Sequence, residues 1–553
     1  MSPRWNPQIF PALFEAHVQN HRAKMNALRG EAARKGERFD PLEHEQILIG
    51  IRQDNMQPDW VPLRAFLSHG LILGRPGSGK TALLAAIVSQ IIRSGACTAV
   101  VVSSKSEPTL FQGIREECYY TGRRLRWATN RIGLESFAYN ALSQSYIPWR
   151  SVNQRVQPLL KAFGLDYGER YGGSWFTSSM ENFLNNLITY YGTSIYSFLD
   201  LARHCSDPNL YTNAEKKLGP KEDWSNSRHV HHEILRLAGW EPGQVKRSSK
   251  GYPPAVFENA IDVAELFSEP QVVFLHLTSI GEDITSRNLA KLMLYGSLEI
   301  ADIISTARQK GEDVRSNPVI FIFDEFAPLV SSTFLPALAQ ARSLGLGCLM
   351  GLQTLHQLSL GDKDYTDTFI AETCYKHLLS APDIATQKYV VETSGEIEQL
   401  TASYRQDVPK GLNAIHPSLL SPRHASSLPF LDPEVHVQSR TVPRLTVDDV
   451  MRYGAEKFSS LRSLAENFGE SKDNGRWVPL HGGYHIDRAT YERRDHEPFP
   501  QGTPGTLLVR PFSEHDLRFK TVKPSLPIQR PGQGGPTSVN DILRRMQEND
   551  DAE

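Results

Sequence analysis

The sequence predicts an α/β fold built on a parallel sheet that a long helical segment interrupts. Strand, helix and strand patterns surround a glycine-rich turn at 74–81, and short apolar runs alternate with helical patterns again after residue 270. Between these two regions, over about 108 to 258, aromatic-rich helical patterns replace the apolar runs. Because a chain of 553 residues is too long for one ordinary core, several domains are expected.

The chain begins with a predicted helical segment, residues 1–42. Its pattern is too charged to bury a core alone, so it should pack on another part of the protein. From residue 43 the pattern changes to "QILIGI", "WVPLRAF" and "HGLILG", short apolar runs that predict strands. A helix from 80 to about 93 and a further strand at 97–103 complete the first part of a sheet domain, residues 43–107.

The remaining domain boundaries follow from similar changes of pattern. An inserted all-α domain is predicted over 108–258, and the sheet domain resumes over 259–425 with the strands "QVVFLHLTS", "PVIFIFDEF", "GCLMGLQ" and "HLLSAP". Frequent prolines predict a small, partly β appendage over 426–525. The last segment, 526–553, combines a flexible linker with either a short amphipathic helix capped by Ser538 or a frayed tail.

Composition excludes some classes of protein. With 60 Lys and Arg against 62 Asp and Glu, there is no global basic field, so nucleic acid would have to meet a local patch. The five cysteines form no CxxC pair, which argues against a metal knuckle or a disulfide framework and favours a reducing cytosol.

No apolar run approaches the roughly 20 residues of a membrane span, and the first residues do not have a secretory signal pattern. We therefore expect a cytoplasmic protein without a membrane span of its own. Any association with a membrane would be made through a partner.

The glycine-rich turn carries the most specific chemistry. It satisfies GxxxxGK[ST] between a predicted strand and a predicted helix, which is the context of a nucleotide phosphate-binding loop. The predicted nucleotide-binding residues are Gly74, Arg75, Pro76, Gly77, Ser78, Gly79, Lys80 and Thr81. Lys80 would neutralise the β- and γ-phosphates and Thr81 would ligate Mg²⁺, so ATP and Mg²⁺ are the expected cofactors. The alternative is a turn that binds nothing.

A phosphate loop needs an acid at the end of a neighbouring strand, and "VIFIFDEF" supplies two. Asp324 should hold Mg²⁺ through water, and Glu325 is placed to orient or deprotonate an attacking water. This pair distinguishes a hydrolysing ATPase from a passive nucleotide binder. The helical insertion explains why the pair lies so far along the chain from Lys80.

Two further polar residues belong to the candidate catalytic set. Gln353 ends the strand "GCLMGLQ", where its amide could contact the γ-phosphate or the attacking water. Arg342 precedes this strand in "AQARSLGLG". Their alternative interpretations are a sheet-end amide and a solvated helix arginine.

These motifs together resemble a known superfamily. "HGLILGRPGSGKT", "FIFDEFAPL", "ALAQARSLGLGCLMGLQTLHQL" and "SAPDIATQKYVVETSG" are similar to the FtsK/HerA superfamily, and most similar to its type IV secretion coupling proteins of the TraD/TraG class. The resemblance covers roughly 43–425. It implies a RecA-like P-loop motor domain with an all-α insertion, assembled into a hexameric ring that moves DNA. It also implies that Arg342 is an arginine finger for the neighbouring subunit and that Gln353 senses the γ-phosphate.

The chain departs from this class in two ways. Coupling proteins usually begin with transmembrane helices, which this sequence does not show, so an interaction with relaxosome or secretion-channel components would have to be made without them. Where the family often has an acid two residues before a lysine, this chain has Ser103, Ser104 and Lys105. Two alternatives therefore stay open: a HerA-like motor that works with a nuclease or effector in DNA processing or antiphage defence, and an ATP-binding adaptor that recruits protein cargo.

A separate basic cluster is a candidate DNA contact. "TGRRLRWATNR" places Arg123, Arg124, Arg126 and Arg131 around Trp127, which suits phosphate contacts with one stacking platform. A solvated surface of the helical domain is the alternative. The histidines of "RHVHHE" at 228–233 do not have the spacing of a zinc helix, and we predict no metal other than Mg²⁺.

Overall fold

The structure is a computed structural model, and all structural statements below refer to the residues that it describes. These are residues 10–52, 55–105, 109–130, 135–147, 150–165, 174–191, 195–212, 214–225, 227–240, 260–277, 283–331, 334–360, 363–381, 383–394, 396–405, 434–443, 457–461, 478–480 and 507–508. Arg131 and residues 526–553, for which the sequence makes predictions, lie outside this set.

The helices and strands are numbered in the order in which they occur along the chain. The α-helices are α1 (Phe10–Lys35), α2 (Pro41–His44), α3 (Leu63–Leu67), α4 (Lys80–Ser94), α5 (Thr109–Thr121), α6 (Val152–Phe163), α7 (Ser174–Tyr191), α8 (Phe198–Ser206), α9 (Pro208–Tyr211), α10 (Ala214–Leu218), α11 (Lys221–Ser225), α12 (Arg228–Ala238), α13 (Asp283–Gln309), α14 (Phe334–Ser343), α15 (Thr366–Glu372) and α16 (Ile384–Thr393). The strands are β1 (Gln46–Ile51), β2 (Pro58–Pro62), β3 (Gly70–Leu73), β4 (Thr98–Ser103), β5 (Leu125–Thr129), β6 (Glu135–Ser136), β7 (Val272–His276), β8 (Val319–Phe323), β9 (Leu346–Leu352), β10 (Ser359–Leu360), β11 (Lys363–Asp364), β12 (Tyr375–Leu378), β13 (Glu396–Arg405), β14 (Glu434–Pro443), β15 (Lys457–Leu461), β16 (Val478–Leu480) and β17 (Leu507–Leu508).

A nine-stranded sheet forms the centre of the fold, in the order β16-β15-β12-β3-β9-β8-β4-β7-β5. The seven strands from β12 to β5 are parallel, and β15 and β16 extend the sheet in antiparallel pairs. Strands such as β4 and β8 are apolar at nearly every position because helices cover both faces of a parallel sheet. Strand β9 separates β3 from β8, so the phosphate-loop strand and the acid strand are not neighbours. The predicted fold class, a RecA-like P-loop domain with a helical insertion, is confirmed.

Three assignments made from the sequence differ from the structure. Strands β15 and β16, which fall in the predicted appendage over 426–525, extend the central sheet instead. Residues 125–129, assigned to the all-α insertion, form the edge strand β5, which pairs in parallel with β7. Arg126 within this short run, and Arg123 and Arg124 just before it, obscure the strand pattern, and its pairing partner β7 begins only at Val272. Within "WVPLRAF", strand β2 ends at Pro62 and the remainder forms helix α3, because Pro62 has no N–H for a strand ladder and suits the position before a helix.

The amino-terminal helix α1 is joined to the sheet domain by a buried ion-pair cluster. Arg93 of α4 contacts Glu15 of α1 at 3.0 Å and Glu117 of α5 at 2.8 Å. A single guanidinium offers enough donors to satisfy two carboxylates, which makes their burial tolerable. The predicted packing of the charged first segment on another part of the protein is therefore observed.

The helices from α6 to α12 lie between β6 and β7 in the chain and form the insertion. Helix α6 packs on α7 and on α13, and α12 packs on α8, so the inserted helices share one apolar core with α13 of the sheet domain. Among the described residues, no helix combines the length and the apolar character that crossing a bilayer requires.

A close contact beneath β9 gives a test of this packing. A Cβ built at Gly347 would lie 2.2 Å from the carbonyl oxygen of Phe66 and 2.8 Å from the Cα of Leu67, both in α3. We expect Gly347→Ala to push α3 from the sheet and to destabilise the fold by about 1 to 3 kcal/mol, as overpacking does. The measurement is the melting temperature followed by circular dichroism.

Gly30→Ala is the matched control, because a Cβ at Gly30 in the middle of α1 would meet nothing within 4 Å. This variant should be neutral or slightly more stable, since alanine favours a helix by about 0.5 to 1 kcal/mol over glycine. Equal melting temperatures for the two variants would contradict the proposed tight contact.

Candidate nucleotide-binding site

The predicted nucleotide-binding residues meet at one edge of the sheet. Parallel strands end at the same edge, so the segments that follow them lie side by side. These segments are 74–81 after β3, Gln353 after β9, Asp324 and Glu325 after β8, and Ser104 and Lys105 after β4.

The loop from Gly74 to Gly79 turns the chain from β3 into helix α4. Gly77 and Gly79 have φ angles of 77° and 93°, in the left-handed region that favours glycine, and Gly79 is the N-cap of α4. The loop is attached to its surroundings at two points: Gly74 N donates to Leu352 O at 3.0 Å, and Arg75 N donates to the Ser380 hydroxyl at 2.9 Å. The first N–H groups of α4 have no acceptor within the helix and are available to an anion at this loop.

Lys80 is the first residue of α4, and its side chain is buried. Burial lowers the pKa of the Lys80 ammonium, and the positive charge of Lys105 lowers it further, while Asp324 and Glu325 act in the opposite direction. A buried ammonium whose charge interacts with two acids and a second lysine is a site with strong local electrostatics. An anionic phosphate beside Lys80 would relieve the repulsion between the two lysines.

Thr81 and Asp324 form the candidate metal site. The Thr81 hydroxyl donates to Asp324 Oδ1 at 3.3 Å, and Asp324 is 0% exposed. The Asp324 N–H donates to Val102 O at 3.0 Å, which fixes the backbone directly after β8. A hydroxyl and a carboxylate are hard oxygen donors of the kind that Mg²⁺ prefers, so the residues present fit this ion.

Glu325, the candidate base, is held by two side chains from neighbouring strand ends. The Ser104 hydroxyl donates to Glu325 Oε2 at 3.3 Å, and Gln353 Nε2 donates to Glu325 Oε1 at 3.2 Å. The backbone N–H of Gln353 donates to Gln357 Oε1 at 2.7 Å. Both carboxylate oxygens of Glu325 are thus oriented, and Gln353 contacts the candidate base directly.

Lys105 lies inside the site, although the sequence motifs do not identify it as a site residue. Its ammonium lies 2.9 Å from the Thr81 hydroxyl and 3.0 and 2.9 Å from the two oxygens of Asp324. The sequence contained one indication, the replacement of an acid by Ser103 two residues before this lysine. The Ser103 hydroxyl now donates to Asp324 Oδ2 at 3.4 Å.

Arg342 lies at the opposite edge of the sheet. It is an exposed residue in the last turn of α14, just before β9 begins, whereas the phosphate loop follows the end of β3. The seven residues of β9 correspond to about 20 Å between these edges. Among the described residues its guanidinium has no hydrogen-bond or ion-pair partner, and it does not lie in the site of its own chain.

The structure buries two of the five residues predicted to contact DNA, and a third, Arg131, lies outside the described residues. Arg126 and Trp127 are 2% and 8% exposed in β5, and Arg126 pairs with Glu265. Arg124 pairs with Glu265 and Glu269, and the Arg123 guanidinium donates to Ile92 O at 3.2 Å. The arginines satisfy acids and a helix end, and the tryptophan packs against Phe111 and Phe137, because this stretch is a sheet strand rather than a helix surface.

The comparison with protein families adds one match. Residues 318–429 match the family model described as the TraM recognition site of TraD and TraG. This segment begins at β8 and contains the acid pair, Arg342 and Gln353. The predicted resemblance to the TraD/TraG class is confirmed over these residues. No curated protein matches the chain.

Three solved structures that match the chain do so at low sequence identity. The bacterial conjugative coupling protein TrwB in its unbound form gives a TM-score of 0.49 at 13% identity, over 76% of this chain and 86% of TrwB. TrwB in complex with ADP and Mg²⁺ gives 0.48 at 13% identity, over 81% and 92% of the two chains. VirB4 of Thermoanaerobacter pseudethanolicus gives 0.38 at 13% identity, over 63% and 87%.

His69 holds the turn that carries Arg342. Its Nε2–H donates to Leu338 O at 2.8 Å, and its Nδ1 accepts from the Cys348 N–H at 3.0 Å, so the buried ring must be neutral. Burial lowers the pKa of His69 to about 4, and the charge of Arg342 contributes to this shift.

The depressed pKa of His69 predicts a loss of stability in mild acid. The unfolded state takes up the proton first as the pH falls below 6.5, so the contribution of His69 is complete above that pH and falls towards pH 4. Between pH 7.5 and 5 we expect wild-type protein to lose about 2 kcal/mol more than His69→Gln, which can keep both hydrogen bonds without titrating. Urea unfolding at the two pH values measures the difference.

The control for this experiment is His44→Gln, which removes an exposed histidine of α2. It should keep the wild-type pH dependence. If His69→Gln loses as much stability as wild type between these pH values, the neutral buried ring is not the cause.

Proposed function

We propose that this protein is an ATPase that couples ATP hydrolysis to the movement of DNA. The observation that supports the nucleotide chemistry best is the convergence of Lys80, Thr81, Asp324 and Glu325 at the ends of β3 and β8. Each residue type has a defined task in phosphoryl transfer, and together they exceed what nucleotide binding alone requires.

The proposed division of tasks follows from the contacts. Lys80 and the loop N–H groups bind the phosphates, and Thr81 and Asp324 hold Mg²⁺, which would neutralise phosphate charge when bound. Glu325 orients or deprotonates water, with Ser104 and Gln353 fixing its two oxygens at 3.3 and 3.2 Å. In this proposal Gln353, the sensor, contacts both the γ-phosphate and Glu325, the base. Loss of the γ-phosphate would therefore change the hydrogen bond between Gln353 and Glu325 as well.

The position of Arg342 supports chemistry between subunits. An exposed arginine about 20 Å from its own phosphate loop cannot complete that loop, but it is available to a neighbouring chain. We assign to it the arginine-finger role in a homo-oligomeric ring, with a hexamer as the expected ring size. In such a ring the exposed guanidinium would stabilise transition-state charge in the adjacent site.

The proposed biological role is that of a coupling-type DNA translocase in conjugation or a related mobile-element process. It is supported by the TraD/TraG similarity of residues 318–429. Relaxosome or secretion-channel components are the corresponding partners, and the family model describes recognition of TraM by TraD and TraG. A HerA-like motor with a nuclease partner would use the same ATP site.

Removal of the proposed catalytic groups should stop ATP turnover without unfolding the protein. We expect Lys80→Ala to lose ATP binding, and Glu325→Gln to bind ATP but release phosphate at least about 100-fold more slowly, the size of a typical general-base effect. Phosphate release is measured with and without double- and single-stranded DNA, and binding is measured with a fluorescent ATP analogue.

Lys310→Ala, which removes an exposed lysine after α13, is the control and should behave as wild type. DNA should stimulate wild-type phosphate release. Full turnover in Glu325→Gln would overturn the base assignment, and turnover that no DNA stimulates would favour the adaptor function over the motor.

Mixed assemblies test whether Arg342 acts on a neighbouring subunit. Arg342→Ala and Glu325→Ala should each be inactive alone. Mixing them should partly restore phosphate release, because some interfaces then combine a wild-type Glu325 with a wild-type Arg342 from the next chain. Ser343→Ala, a change at the adjacent exposed position, should be fully active alone. Mixtures that stay inactive although both variants assemble would contradict the assignment in trans.

A further inference from the structure

The ammonium of Lys105 contacts the same two side chains that are proposed to hold Mg²⁺. It is hydrogen-bonded to the Thr81 hydroxyl at 2.9 Å and lies within 3.0 Å of both oxygens of Asp324. The lysine comes from a different strand end, that of β4, so this contact is not a consequence of local sequence. Lys105 therefore gives the metal-binding pair a positive charge that belongs to the chain itself.

Asp324 needs such a charge because it is completely buried. An ionised carboxylate without a compensating partner is costly in a protein interior. The other hydroxyl beside it, that of Ser103, is neutral and lies at 3.4 Å. An ammonium at hydrogen-bond distance from both oxygens satisfies the carboxylate far better than the two neutral hydroxyls, those of Thr81 at 3.3 Å and Ser103 at 3.4 Å.

The backbone of Lys105 is fixed, but its ammonium can leave. His276 Nε2 donates to Lys105 O at 3.0 Å, and the Lys105 N–H lies 3.4 Å from the Ser103 hydroxyl. The side chain itself is 35% exposed and flexible. Its ammonium can therefore exchange one anionic partner for another without moving the end of β4.

We propose that Lys105 is a tethered competitor of Mg²⁺, which occupies the Thr81 and Asp324 pair until a metal-bound nucleotide displaces it. Two cations in contact with one pair of oxygens repel each other, so Mg²⁺ must replace the ammonium. Lys105 and Lys80 lie close enough for their charges to interact, so a bound phosphate offers the displaced ammonium a new anionic partner. Lys105 would thereby raise the Mg²⁺ concentration that the site requires. This inference rests on the proposed nucleotide site.

The test measures metal binding directly, without ATP turnover. Free Mn²⁺ is titrated into wild-type protein and variants without nucleotide and is followed by electron paramagnetic resonance, with Mg²⁺ as competitor. Lys105→Met removes the tethered cation, and we expect it to bind Mn²⁺ at least about tenfold more tightly than wild type. Lys105→Arg keeps the charge and Lys310→Met removes a charge elsewhere, so both should bind Mn²⁺ as wild type does.

A second measurement covers the stability of the variants. Without metal, Lys105→Met should melt at a lower temperature than wild type because Asp324 has lost its ammonium partner and keeps only two hydroxyl contacts. Mg²⁺ should raise the melting temperature of this variant more than that of wild type. Lys105→Gln, which keeps a hydrogen-bond donor without the charge, should show the same tighter Mn²⁺ binding. Adding Asp324→Asn to either variant should abolish the gain.

The possible results separate this inference from the function on which it rests. If wild type and variants all bind the fluorescent ATP analogue but have equal Mn²⁺ affinity, Lys105 is only a structural partner of Asp324 and the competition is wrong. Weaker Mn²⁺ binding in Lys105→Met also overturns it. If none of the proteins binds ATP, the proposed nucleotide site itself fails.

Discussion

The burial of one carboxylate, that of Asp324, governs the arrangement of the whole site. Strand β8 is buried along its length, so its last residue and the acid that follows it lie inside the protein, where an unpaired charge is costly. Positive charge from Lys105 and hydroxyls from Thr81 and Ser103 surround it, and they come from α4 and the end of β4. A site that must neutralise this acid therefore has to collect groups from several strand ends, which a parallel sheet places next to one another.

The same sheet imposes a second constraint. Its two edges are about 20 Å apart, so residues at opposite edges cannot contact the same nucleotide. Elements that precede strands lie at the amino edge, and Arg342 in the last turn of α14 belongs there. His69 lies before β3 at this edge, and it joins Leu338 O of α14 to the N–H of Cys348 in β9 through one neutral ring. His69 thus fixes α14 to β9 at the edge opposite the phosphate loop, as the proposed action of Arg342 on another subunit would require.

The parts of the site that could be predicted from sequence are those with local signatures. The phosphate loop lies between a strand and a helix, and Asp324 follows an apolar run, so both could be recognised from adjacent residues. Lys105 could not, because its role depends on β4 lying beside β8, although these strands are far apart in the chain. The sequence likewise places Trp127 and its arginines in the all-α insertion, as a candidate DNA contact, because the partner of their strand, β7, comes long after them in the chain. Arg126 inside this short edge strand and the arginines just before it conceal the period of the strand, and only the pairing reveals it.

Strand β9 connects the two edges, since α14 with Arg342 leads into it and Gln353 follows it. A buried strand that is hydrogen-bonded on both sides can transmit a displacement, but it does not itself provide two alternative conformations. The element that differs between nucleotide states must therefore lie elsewhere. Two side chains of this site end in polar groups that are held by side-chain contacts: Gln353, which contacts Glu325, and Lys105, which contacts Asp324. The Lys105 ammonium would respond to an anion and to a divalent cation in opposite senses, because it is attracted by phosphate and displaced by metal. In the ring proposed above, a motor built on this sheet would couple to its nucleotide through side chains at the strand ends, and β9 would be the rigid connection to the edge that carries Arg342.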